Sequence, residues 1–113
     1  MRVKIDSRVP VLVGRLDQAA PGDALLFEGQ AQQTILPASR FSPQRAHALG
    51  CTCCVSRSPC ARALTALLHD RARGRIAFFQ RVLVVTSSPD GQAEVTAALL
   101  RDPVVSAYFR SVV

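Results

Sequence analysis

The sequence predicts an α/β fold, a small two-layer or three-layer domain around a short, mostly parallel sheet. Three observations predict it. Residues 81–86, RVLVVT, put four mostly β-branched apolar residues in a row without alternation, as in a parallel strand buried on both faces. A helical pattern precedes that run and another follows it, and strand–helix alternation builds parallel sheets. The chain has 113 residues, 49% of them hydrophobic. That suits one domain, 1–113, with a real core.

The elements follow in order. Segment 9–14, VPVLVG, is a β-branched run closed by Gly14 and reads as a strand. Residues 15–23 hold a Pro-Gly-Asp turn signal, and 24–27, ALLF, form a second strand. Residues 29–43 are polar and irregular, with a small strand expected at 34–36 and a helical turn at Ser42-Pro43. The clearest helix starts at Ser58, a good N-cap, with Pro59 in its first turn. Leu64, Leu67 and Leu68 mark its buried face, Arg71 and Arg73 oppose its dipole, and Gly74 is its C′ residue. After the 81–86 strand, residues 88–91 open a helix with Val95, Ala98 and Leu99 as its core stripe. Asp102-Pro103 starts a last helix carrying Val104, Val105, Tyr108 and Phe109, and 111–113 begin one more strand. A sheet this small leaves edges open, so a homodimer is expected.

Composition narrows the function classes. No apolar run approaches the roughly 20 residues that span a bilayer, and the N-terminus has no signal-peptide pattern. The expected location is the cytoplasm, where thiols stay reduced. The net charge is +6, which raises nucleic acid as a partner. However, the arginines are scattered, the densest group being Arg71, Arg73, Arg75 and Arg81. With one Tyr and no Trp, an aromatic stacking platform is largely missing, so nucleic acid is not the expected partner. Lys4 is the only lysine, and no glycine-rich phosphate loop carries one.

All four cysteines, Cys51, Cys53, Cys54 and Cys60, fall within 51–60. Cys-x-Cys-Cys brings three soft thiolates within reach of one ion and suits Zn²⁺ or Cu(I). Tetrahedral zinc needs four donors, or three and a water. Cys60 could fold back as a fourth donor, and His47 stands four residues before Cys51. Adjacent Cys53 and Cys54 tend to point apart, so one of them can be a spectator. Gly50 allows the backbone to wrap closely, and Arg57 and the following helix start favour thiolate. Two other readings stay open. The cysteines can be small buried hydrophobes, or two of them, such as Cys54 and Cys60, can form a redox pair.

Gly50-Cys51-Thr52-Cys53-Cys54, then Arg57, Ala63-Leu64, Leu67-Leu68, RVLVVTSSPD and LLRDPVVSAYFR, resemble the middle of the CobW-type GTPases. These metallochaperone-like proteins carry a Gly-Cys-x-Cys-Cys motif that binds zinc or related metals. The resemblance covers roughly residues 46–113. It implies a remnant of a P-loop GTPase fold, a metal site on Cys51, Cys53 and Cys54, and either a metal-receiving protein or a full-length relative as partner. The departures matter equally. After 9–14 there is no Gly-Lys-Thr loop, Val85 stands where the family has an acidic residue, and Thr86-Ser87-Ser88 replaces Thr-Thr-Gly. Phosphoryl transfer needs the Lys and Mg²⁺ machinery, so no enzyme activity is expected.

The remaining polar residues carry less. His69 reads as a helix-end surface residue. Asp17, Asp23 and Glu28 could form an acidic patch but read as turn and surface positions. Ser87-Ser88 could hold an anion at a helix N-terminus, with plain capping favoured. The sequence therefore predicts a non-catalytic thiolate metal-binding protein, zinc being the expected ion. Bound metal would serve transfer, sensing or stability, and structural zinc can contribute on the order of 10 kcal/mol to small domains. The alternative is an interaction module with inert cysteines that pairs with itself or with a GTPase relative.

Overall fold

The computed structural model describes residues 7–43 and 57–112. Within these residues five strands form one sheet: β1 (Val9–Val13), β2 (Asp23–Glu28), β3 (Ala38–Phe41), β4 (Arg81–Val85) and β5 (Phe109–Ser111). Their order is β3-β2-β4-β1-β5, and every pairing is parallel. Three α-helices lie among the described residues: α1 (Pro59–Ala72), α2 (Pro89–Arg101) and α3 (Pro103–Tyr108).

Each helix begins with the same device, a short oxygen-bearing residue followed by proline. Ser58 Oγ accepts the Ala61 amide and Ser88 Oγ the Gly91 amide, while Asp102 accepts those of Val104 and Val105. The proline has a preset φ and no amide to orphan in the first turn. α1 ends as its glycine predicts. Gly74 takes φ +70°, the Arg75 amide bonds the Asp70 carbonyl and the Gly74 amide bonds that of Arg71. This is a Schellman motif.

The handedness of parallel crossovers distributes the connections. Those running toward the β5 edge, β3 to β4 and β4 to β5, carry the helices on one face. Those running toward the β3 edge, residues 14–22 and 29–37, cross the other face. Each is shorter than the roughly dozen residues a helical crossover needs, so that layer holds only a 3₁₀ turn (Leu16–Gln18) and irregular chain. The core divides accordingly. Val9, Val11, Ala24, Leu26, Val82 and Val84 pack under the helices. Leu25, Phe27 and Leu83 pack under Leu16, Ala19 and Leu36. The α/β class stands, as a five-stranded sheet with helices on one face.

Several local expectations shift. The small strand lies at Ala38–Phe41 rather than 34–36, because the chain pairs there with Leu25–Glu28 of β2. The helical turn expected to open at Ser42-Pro43 would run past residue 43 and so lies outside the described residues. Phe109 leaves the last helix to open β5 against Val9, where its ring is buried. Val104 and Tyr108 are exposed, leaving Val105 as the buried residue of α3.

Candidate functional site

His47, Gly50, Cys51, Cys53 and Cys54 lie outside the described residues. What the structure provides is the chain on either side of them. On one side β3 ends at Phe41, which is buried beneath the helices. On the other, Arg57 is fixed by four hydrogen bonds. Its Nε and Nη2 donate to Asp102 Oδ2 and Oδ1 at 2.7 and 3.0 Å, a fork-on-carboxylate pair. Nη2 also donates to Thr65 Oγ1 at 2.6 Å and the Ala61 carbonyl at 3.4 Å. Thr65 can accept because its own hydroxyl donates to the Ala61 carbonyl. The chain entering α1 is thereby tied to the α2–α3 junction. The Arg57 hydrogen bonds hold the Asp102 carboxyl below its ordinary value, against partial burial, with help from the Val105 and Val104 amides.

Cys60 is the one predicted donor within the described residues. It sits in the first turn of α1 as expected, with a free thiol that is fully buried in the helix-side core. Burial, reinforced by the nearby Glu94 charge, pushes the thiol up to about 12. It is protonated at neutral pH, whereas metal ligation and thiol exchange both need thiolate. Glu94 meets it because the Cys60 amide donates to Glu94 Oε2 at 3.1 Å, satisfying an orphan donor of the helix start. No group of three or more His, Cys, Asp or Glu that could hold a metal occurs among the described residues. His69 is exposed on α1.

The carboxyl edge of the sheet is the other place to look for chemistry. Crossovers leave β1 toward one edge and β4 toward the other, and ligands of open α/β sheets bind at such a switch point. Here three of the backbone donors after β1 are already used. The Gly14 amide donates to the Val84 carbonyl at 3.0 Å, the Arg15 amide to Gln18 Oε1 at 2.7 Å and the Gln18 amide to the Arg15 carbonyl at 2.9 Å. The start of α2 is occupied as well. Glu28 Oε1 accepts the Ser87 and Ser88 amides at 2.7 and 3.0 Å, and Oε2 accepts the Ser88 hydroxyl. A Cβ on Gly91 would collide with that carboxylate. Ser88 caps the helix, and the anion beside it is the chain's own Glu28. Partial burial raises the Glu28 carboxyl, and the Ser88 and Ser87 bonds together outweigh it and hold it below its ordinary value.

The fold separates Asp17, Asp23 and Glu28 and makes no acidic patch of them, and of the turn and surface positions expected for the three only Asp17 is exposed. Glu28 closes the α2 start. Asp23 is buried at the amino edge against Arg81, at 2.6 and 2.9 Å. Asp17 is exposed beside Arg15. The Glu28 and Arg57 contacts span 60 and 45 residues, beyond any local pattern. The one sequence signal was Gly91, a helix-weakening residue in a first turn, where close approach is a reason for glycine.

No family model, no curated protein and no solved structure matches this chain.

Proposed function

We propose that this protein binds zinc or a similar thiophilic ion through Cys51, Cys53 and Cys54, as a non-catalytic cytosolic relative of the CobW-type GTPases. The observation that carries the reading is the stretch Gly50-Cys51-Thr52-Cys53-Cys54, three thiols in four residues. Thiolate density of that kind suits soft metals. The full burial of Cys60 among the helix-side core residues supports a donor set of Cys51, Cys53 and Cys54 without it. The fourth position then goes to His47, to water, or to a donor from a second copy. The absence of hydrolysis in this reading is supported by the loop after β1, whose Gly14 and Arg15 amides are bound inside the chain rather than presented to a phosphate. The ion would pass to a metal-receiving protein or a full-length GTPase relative.

Titration with Co²⁺ under reducing conditions tests the donor set. The expected result is a thiolate-to-metal charge-transfer band that persists in Cys60→Ala and disappears when Cys51, Cys53 and Cys54 are replaced together. A band that needs Cys60, or no band at all, overturns it.

A second reading, an interaction module with inert cysteines, is favoured by one feature. Leu100, Val104 and Tyr108 stand exposed on α2 and α3, beside a sheet whose β5 has, among the described residues, a strand neighbour on one side only. It predicts a homodimer by native mass spectrometry whose stability ignores both chelators and the triple cysteine replacement.

A further inference from the structure

We propose that the turn closing α1 is a contact surface for single-stranded nucleic acid, with Arg73 and Arg75 on phosphates and a base stacked on Phe78. Phe79 is fully buried, while its neighbour Phe78 is 69% exposed. An exposed ring beside a buried one is a specific placement, and it is held from behind. The Arg71 guanidinium lies 4.5 Å from the Phe78 ring centroid and 4.8 Å from that of Phe79, and its Nη1 donates to the Phe79 carbonyl at 2.8 Å. The ring is therefore backed by a fixed cation, and its exposed surface is available for stacking.

The backbone that carries the charges around it is equally fixed. The Schellman turn at Gly74 sets exposed Arg73 and Arg75 on either side of the left-handed residue. Exposed Arg62 and His69 extend the stripe along α1, seven residues apart and then four before Arg73. That spacing covers about 16 Å of helix surface. Half-buried Asp70 is the one carboxylate within 69–81. Elsewhere Asp23, Glu28, Glu94 and Asp102 are engaged in internal contacts, and the exposed Asp17 and Asp90 belong to the 3₁₀ turn after β1 and to the start of α2, which leaves the turn closing α1 to arginine. Guanidinium forks match phosphate oxygens, and stacking on an aromatic ring tolerates any base. A membrane fits less well, because interfacial binding scales with apolar area and Phe78 is the one large exposed apolar side chain of the turn. Composition pointed away from this partner by counting Trp and Tyr, whereas the platform here is a phenylalanine.

The test is fluorescence anisotropy of labelled oligo(U) and oligo(dT), each about 12 nucleotides, with the full chain at about 50 mM salt and above. The expected result is salt-sensitive binding that falls at least tenfold in Arg73→Glu/Arg75→Glu. Phe78→Ala and Phe78→Leu each weaken single-strand binding by about tenfold, Phe78→Trp preserves it, and duplex affinity is unchanged by all three. The substituted side chains are exposed, and unchanged urea midpoints confirm intact folding. No binding at the lower salt overturns the proposal, as does binding that survives both sets of variants. Binding to phosphatidylserine vesicles without oligonucleotide binding also overturns it.

Discussion

Gly91 is where local preference and tertiary need part company. Alanine in a helix is normally worth about 1 kcal/mol over glycine. Here its Cβ meets the Glu28 carboxylate, which three donors from Ser87 and Ser88 pin in place. Gly91→Ala is expected to destabilise by about 1–3 kcal/mol. The same change in a Glu28→Ala background should be neutral or stabilising, a coupling that urea melts of the four-protein cycle would read. Cys60 gives a second residue-scale prediction. Its thiol is buried and held protonated, so iodoacetamide should leave Cys60 unmodified in the native protein and label it only with unfolding. Mass spectrometry of the digest checks this, and rapid native labelling would contradict the core assignment. The burial of Cys60 was legible. It lies four and seven residues before Leu64 and Leu67, on the stripe those leucines define.

Among the elements, α1 and α2 could be read closely because caps, prolines and leucine spacing are all local signals. β1, β2 and β4 were readable because central parallel strands are apolar on both faces. The β3 strand, ASRF, gives no such signal. As an edge strand it owes its place to pairing with β2, and edges tolerate polar residues. The Arg57–Asp102 and Glu28–Ser88 links join elements through charge and carry a pH dependence. Both carboxyls titrate below their ordinary values of 3.8 and 4.5 in the folded protein. The native state then binds fewer protons than the unfolded chain in acid. Their contribution is complete above those ordinary values and is lost as pH falls through the lowered folded ones. The urea midpoint should hold from neutral pH to about 5 and drop below about 4. Asp102→Asn with Glu28→Gln should start lower at neutral pH and flatten that acid slope. An unchanged slope would contradict the assignment.

At the scale of the whole molecule, the order β3-β2-β4-β1-β5 and the handedness rule explain why the helices share one face. The sequence alone gave no strand order, because order depends on which crossover passes over which strand. The candidate site was legible as chemistry, three thiols after a glycine, and its flanks were legible as a capped helix. The clamp on Arg57 depends on Asp102 and was visible only in three dimensions. The proposed function rests on the thiol-rich stretch holding a metal ion. The direct measurement is metal content by plasma mass spectrometry on tag-free protein purified under reducing conditions, with the combined Cys51, Cys53 and Cys54 replacement beside it. The expected result is about one zinc per chain or per subunit pair, retained in Cys60→Ala and lost in the combined variant. Protein that is folded, free of metal and unable to take up zinc on titration would contradict it.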